Sequence, residues 1–571
     1  MKFDVAIVGG GPAGSTAGTL LKKYAPHLSV IVLERERFPR DHVGESQLPA
    51  IGRVLNEMGV WNAVEAAGFP IKVGATYRWG TTDELWDFNF VKDVALDDRT
   101  RPARYEGARQ DTAFQVDRAR YDKILLDHAR RAGCKVREET TVRQVVCQGD
   151  RVEALVLESG EEIQARYFID ASGGTGVLRR ALNVDTTSPT SLRNIAIWRY
   201  WENAEWAVEI GVGGTRVQVM SLGYGWIWFI PLGPTRTSVG LVIPAEYYKT
   251  SGKRPEELYD KAMGEDPLIA GLLQNATPED GILTTKDWSF IADRTVGENW
   301  FLAGESAGFA DPILAAGMTL AHQDAREAAY TILALEEGKE DPAWLKQSYE
   351  ASQRKRLWQH IRFADYWYSA NAQFTDLKEF TREIARDAGL DLDADAAFQW
   401  LGTGGFTVEA LGAVSIASYD IRAVKLLTER LGDRVATWQL ANTNRFFLNL
   451  KGAETDYVPQ YHGGRVERIK CHVRNDLRLP VSGFYKAVVR ALKWGPDLED
   501  VLKNIEVIRN ASSPQIPPDH WRAFCLQTLE AMICEGWVRA ERDPEKPLLK
   551  IQHDLLRHEP PKSSGVPAVS N

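Results

Sequence analysis

Three features of this 571-residue chain carry residue types and spacings suited to chemistry: a glycine triplet, a lysine in a K-x-G-A setting, and two tryptophans one residue apart. Gly9, Gly11 and Gly14 spell G-x-G-x-x-G, and Glu34 follows Gly14 by 20 residues. Such a triplet serves a dinucleotide when it joins a strand to a helix. The first glycine permits the tight turn and the second lets backbone approach a pyrophosphate. The third allows close helix–strand packing, and an acidic residue further on accepts hydrogen bonds from ribose hydroxyls. The triplet alone does not choose between FAD and NAD. Lys72 stands in IKVGATYR, where by itself it reads as a solvated loop residue. Trp226 and Trp228 stand in GYGWIWFIPLG. In a strand, residues i and i+2 share a face, so the two indoles form one wall with Ile227 and Phe229 opposite. Taken alone, that wall reads as core packing.

The elements around these residues follow from pattern. FDVAIVG (3–9) is apolar and β-branched, which predicts a buried parallel strand. A helix over 13–24 and a strand over 28–34 complete a βαβ unit. Residues 116–133 have helical periodicity and 166–174 read as a strand. Residues 190–245 hold four strand-like segments, read as an antiparallel sheet inserted between parts of the nucleotide domain. A helix is predicted over 317–336. Residues 342–450 read as mainly helical and rich in aromatics. Residues 471–555 read as short helices and a strand pair. The Pro/Ser-rich tail reads as disordered. Net charge is −9, which argues against a general nucleic-acid or anionic-membrane binder. The five cysteines are scattered, with no CxxC pair, so neither a disulfide framework nor a metal site is predicted, and a cytoplasmic location fits. No signal peptide and no membrane span is read.

Three further segments resemble the p-hydroxybenzoate-hydroxylase-like flavoproteins: FQVDRARYD (114–122), DASGG (170–174) and NWFLAGESAGFADP (299–312). Glu305 stands where that group usually has Asp. Within the group, Gly225 to Pro231 match the G-W-x-W-x-I-P of the flavin-dependent halogenases. FPRDHVGESQLP (38–49) resembles a further halogenase segment, and Lys72 lies in the K-x-G-A context of the phenol- and pyrrole-type members, variant B. The resemblance implies an α/β fold: a Rossmann-like FAD-binding domain (1–75, 105–190 and 280–340), an inserted antiparallel substrate-side sheet (76–104 and 191–279), a helical region (341–470), a winged-helix-like cap (471–555) and a tail (556–571).

It also implies roles. FAD is held by Gly9, Gly11, Ala13, Gly14, Glu34, Arg35, Ser46, Arg118, Asp170, Gly304 and Glu305. Trp226, Trp228, Ile230 and Pro231 partition flavin from substrate. Reduced flavin and O2 convert chloride or bromide to hypohalous acid, which Lys72 hydrogen-bonds or captures as a haloamine beside an electron-rich ring. A separate NAD(P)H-dependent flavin reductase supplies FADH2, and the small aromatic substrate arrives free or tethered to a carrier protein. The halide sits on the backbone N–H groups of Gly317 and Met318 at a helix start. Many relatives carry Ser or Thr just before this glycine, whereas this chain has Ala315 and Ala316. Asp287 is a candidate for covalent flavin attachment. Aromatics of 356–374 read as core or as substrate-pocket walls, and His322 and His360 as structural. The alternatives are an aromatic hydroxylase or geranylgeranyl-type reductase of the same flavoprotein group, and a redox-responsive regulator using the winged-helix-like region.

Overall fold

The structure is a computed structural model and describes residues 1–90, 101–387, 415–416, 419–420, 438–475, 477–514 and 516–549. Two sheets organise the chain. The first has the order Lys135–Arg137, Val30–Leu33, Lys2–Val8, Glu162–Asp170, Arg151–Leu157, Val142–Gln148, with Trp300–Leu302 also paired to Glu162–Asp170. Lys2–Val8 runs parallel to both neighbours, with Val5 opposite Val30 and Tyr167. Val5, Ala6 and Ile7 are fully buried, as a strand covered on both faces requires. The helix Pro12–Tyr24 follows at once, started by a proline in its first turn.

The second sheet has nine strands, with the path Thr277–Pro278, Arg193–Glu202, Arg236–Pro244, Gly225–Pro231, Gly214–Leu222, Ile71–Arg78, Trp86–Asn89. It differs from the expected antiparallel insert in two ways. Ile71–Arg78 belongs to it, although residues up to 75 were assigned to the flavin domain. That strand also pairs parallel to Gly214–Leu222. Lys72 therefore stands on the substrate-side sheet, placed there by a pairing with Thr215, 143 residues away, that no local pattern announces. The central strand Gly225–Pro231 is buried along its whole length. Trp226, Trp228 and Ile230 enter one core with Tyr77, Trp79 and Trp198, while Ile227 and Phe229 enter another beneath the helices Pro255–Glu265 and Pro267–Leu273.

Beyond residue 340 the helix Pro342–Ser369 packs on Gly317–Glu337. The helical reading of 341–470 needs correction. Glu454–His462 and Arg465–Arg474 form an antiparallel hairpin. Its turn is Gly463–Gly464, both at positive φ, the chemistry a tight hairpin demands. Charged residues on the solvent side of that hairpin obscured a period of two. The cap also differs from its expected form. Its last strand, Val538–Glu541, pairs with Arg445–Leu448, a strand that precedes the three helices Gly483–Trp494, Leu498–Ser512 and Pro518–Cys534. The expected tail at 556–571 lies outside the described residues.

Candidate active site

One chamber of about 920 Å³ is lined from both sheets. At one end Gly9, Gly11, Pro12 and Ala13 meet Glu34, Arg35 and Ala171–Thr175. Gly9 takes φ +105°, open to glycine alone at no cost. A Cβ on Gly14 would collide with the Gly9 carbonyl, so Gly14 serves helix–strand packing and does not itself line the chamber. A Cβ on Gly11 would meet only Arg40 Nη2, at 3.7 Å. Gly11 caps the helix Pro12–Tyr24, whose first N–H groups lack intrahelical acceptors. This is a cradle for a phosphate.

Glu34 is buried, and its carboxylate accepts the N–H of Gly10 at 2.6 Å and of Glu36 at 2.9 Å. It thus fixes the glycine turn as well as lining the cradle. Asp170 is not among the lining residues. Its oxygens accept from Ser172 N–H and Oγ (3.1 and 2.6 Å) and from the N–H of Leu178 (2.7 Å). It shapes the Ala171–Thr175 loop from behind. Burial raises its carboxyl above the usual range, and those donors pull it back. Arg118 forms a two-point ion pair with Asp122 (2.8 and 2.9 Å) and donates to the Val43 carbonyl at 2.8 Å. It thereby holds the segment 40–46, which runs along the chamber. Ser46 lines the same wall, and its Oγ is buried with no hydrogen-bond partner in the protein. Gly304 and the half-buried Glu305 line the next wall. Burial raises the Glu305 carboxyl, and the Arg118 charge opposes that rise. The glycine cradle and the orphaned Ser46 hydroxyl both fit a bound dinucleotide.

The other end is aromatic. Trp226, Trp228 and Ile230 line it with Tyr77, Phe88, Phe90 and Trp198. Pro231 ends the strand and lies outside the lining. The two indoles are 6.1 Å apart and each N–H is satisfied, Trp226 by the Tyr368 hydroxyl (2.8 Å) and Trp228 by Ser238 Oγ (3.1 Å). Lys72 is 2% exposed and lines this chamber, its Nζ 5.3 Å from the Phe90 ring centroid. Burial alone pushes its amine down to about 7. Burial, a lowered amine and a place in a shared cavity are features that functional lysines have.

Gly317 and Met318 line the chamber where the helix Gly317–Glu337 begins. The turn before it runs Pro312–Leu314, then Ala315 at φ +52°. His322 lies in the core instead, its two ring nitrogens 2.8 Å from Thr16 Oγ1 and from the Tyr121 hydroxyl. Phe363, Tyr366 and Trp367 do not line the chamber. They back its wall, Trp367 packing on Tyr77 at 5.1 Å, and Trp358 faces solvent. Asp287 falls on the strand Leu283–Trp288.

Sequence reasoning passed over Trp198, Tyr200 and Glu45. Trp198 and Tyr200 repeat the same-face alternation in NIAIWRYWE, so the signal was present. Glu45 is buried, lines the chamber and accepts from the Tyr200 hydroxyl at 3.0 Å. Burial pushes its carboxyl up to about 7. Nothing local distinguishes it from a surface glutamate.

Comparison with known proteins decides the chemistry. The sequence model of the FAD binding domain matches residues 2–364. The chain is 34% identical over 378 residues to a tryptophan 2-halogenase of Chondromyces crocatus, covering 65% of this chain and 68% of that one. It is 30% identical over 388 residues to a 1H-pyrrole-2-carbonyl-[peptidyl-carrier protein] chlorinase of Pseudomonas fluorescens, covering 65% and 85%. The chain belongs to the flavin-dependent halogenases. Among solved structures, the myxobacterial chondrochloren halogenase CndH shares 29% identity, covering 68% of this chain and 91% of its own, with a TM-score of 0.58. CmlS, also a flavin-dependent halogenase, covers 97% of this chain and 99% of its own at 23% identity and TM-score 0.71, a likeness of fold that extends into the C-terminal module. This halogenase binds FAD, and none of its described helices is long and apolar enough to cross a membrane.

Proposed function

We propose that this halogenase modifies an electron-rich aromatic ring, a phenol or a pyrrole, and that Lys72 transfers the halogen. The observation that carries this reading is the burial of Lys72 in the chamber that also contains the glycine cradle and the tryptophan wall. Bound FAD, once reduced, supplies the oxygen chemistry that turns halide into hypohalous acid. The chain's residues do the rest. The backbone N–H groups of Gly317 and Met318 hold the halide. Trp226, Trp228 and Ile230 narrow the passage and keep the ring from the flavin. With its amine near 7, Lys72 is substantially neutral at physiological pH and can act as a nucleophile. Its lone pair takes the halogen from hypohalous acid, and one N–H proton leaves with hydroxide as water. The ring then takes the halogen, and its displaced proton returns to the amine. The apolar walls from Tyr77, Phe88 and Phe90 suit a flat, uncharged ring.

The relatives named for tryptophan and for a carrier-bound pyrrole support an aromatic substrate, free or tethered. A separate flavin reductase is the electron source in this reading, and the cytoplasm the compartment, in keeping with five free cysteines.

The test is Lys72→Ala with a flavin reductase, NADH, O2 and bromide. FAD content and O2 consumption should persist while halogenated product falls by orders of magnitude. Lys72→Arg should fail equally, since a guanidinium remains charged and offers no lone pair. A Lys72→Ala enzyme that halogenates at the native rate and position would refute the assignment.

A further inference from the structure

We propose that Tyr368 is a positioning residue for the halide, tying the halide-binding turn to the tryptophan wall through one shared hydroxyl. The proposal rests on the reading that Gly317 and Met318 hold the halide.

The turn that delivers those two N–H groups is held from one side by Asp311. Its Oδ1 accepts the N–H of Ile313 at 2.9 Å and so caps the turn Pro312–Leu314. The chain then passes through Ala315 at φ +52°, a conformation an alanine does not adopt without being held there. Neither Ala315 nor Ala316 has a side-chain donor or acceptor, so no hydroxyl in the turn fixes it. What fixes Asp311 is behind it. The Tyr368 hydroxyl donates to Asp311 Oδ1 at 3.2 Å, and Asn194 Nδ2 donates to Oδ2 at 3.2 Å. The same Tyr368 oxygen accepts the Trp226 indole N–H at 2.8 Å. Asp311, Asn194, Trp226 and Tyr368 are all buried, so each bond is made away from competing water.

Tyr368 comes from the end of the helix Pro342–Ser369, beyond residue 364 where the FAD-domain match stops. Replacing it by Phe keeps the ring against Trp79 and Phe374 but removes the one atom that meets both the wall and the turn. The Trp226 N–H and one lone pair of Asp311 then lose their partner, and the turn is free to shift relative to the chamber.

The experiment uses the full chain loaded with FAD. Bromide is titrated against the bound-flavin absorbance for wild type and Tyr368→Phe, and KM for bromide is compared with kcat. We expect the bromide dissociation constant and KM to rise about five- to tenfold in the variant. FAD affinity and kcat at saturating bromide should stay within about twofold. A purely structural role would lower the melting temperature without this selective loss of halide affinity. If Tyr368→Phe does not retain FAD, Asn194→Ala, which removes the other side-chain donor to Asp311 and a donor to the Tyr368 hydroxyl, is read in the same way. Unchanged bromide affinity in a folded variant overturns the proposal alone. Wild-type protein with no saturable bromide binding overturns the halide-turn reading and the proposal with it.

Discussion

In its proposed role, Lys72 sets function against stability at a single residue. Its amine titrates near 10.5 in an unfolded chain and near 7 in the folded one. Between those values the unfolded state binds the extra proton, so stability rises with pH across that window. The cost of burying Lys72 is fully present below pH 7 and is relieved as pH approaches 10.5. Lys72→Met, which packs against Phe90 without a charge, should therefore stabilise the fold at pH 7 by on the order of 2 kcal/mol while abolishing halogenation. Thermal melts of both proteins at pH 7 and pH 10 check this, and the gap should shrink at the higher pH. Product formation by the wild type should fall as pH drops from 8 to 6, because protonation removes the lone pair. Quantifying brominated product at fixed flavin supply measures that fall. At the opposite end of the chamber, Gly11→Val would put a branched side chain into the open space before the helix N-terminus. Folded protein with little bound FAD is the expected outcome, read from the absorbance of the purified variant.

The strand Gly225–Pro231 can carry Trp228 because a neighbouring strand leaves room for its indole. Trp228 stands opposite Gly240 in register. Any side chain at Gly240 would run into the Trp228 ring. Gly240→Val should push Trp228 out of the wall, costing about 1–3 kcal/mol of overpacking. The passage would then widen, and more hypohalous acid should reach an added scavenger in place of the ring. A Gly240→Val enzyme with wild-type melting temperature and product-to-scavenger ratio would contradict this account of the wall. The sheet's flanking core makes the same demand from outside: Trp367 lies 5.1 Å from Tyr77 and 6.1 Å from Trp86, so aromatics that could have been substrate contacts are instead its support.

Across the whole molecule, the described C-terminal module is anchored on the helix Gly317–Glu337. Arg326 pairs with Glu57 at 2.5 Å and donates to the Tyr461 carbonyl at 2.9 Å. Arg468 pairs with Glu340 at 2.7 Å and lies over Trp344. No described residue after Ala321 lines the chamber. The described part of the module thus packs on the helix that presents Gly317 and supplies no wall to the chamber. Arg326→Ala leaves the half-buried Glu57 beside Tyr330 without its guanidinium partner, so a loss of about 1–3 kcal/mol is expected. Limited proteolysis should then cut within 438–549 far sooner than in the wild type, while flavin content is unchanged. Equal protease resistance would argue that the hairpin Glu454–Arg474 holds the module without this anchor.

Local pattern was enough for the βαβ unit with its glycine triplet, for the same-face tryptophans and for the helix at Gly317, because each depends on residues within one or two turns of chain. The match of Gly225–Pro231 to the halogenase motif carried the chemistry as well. Long-range packing decided the rest. Lys72 is buried between the pairings of Ile71–Arg78 with Gly214–Leu222 and with Ala113–Phe114, and its lowered amine follows from that burial. Asp170 has the composition of a ligand residue, but the fold spends its oxygens on Ser172 and Leu178. Glu45 is unremarkable in sequence and Tyr368 is one aromatic among several in 356–374, and they meet the site from 155 and 142 residues away from their partners Tyr200 and Trp226. Sequence periodicity reports which face of an element is apolar. Which polar atoms end up buried together is set by how the elements close on one another, since that closure removes the water they would otherwise bind.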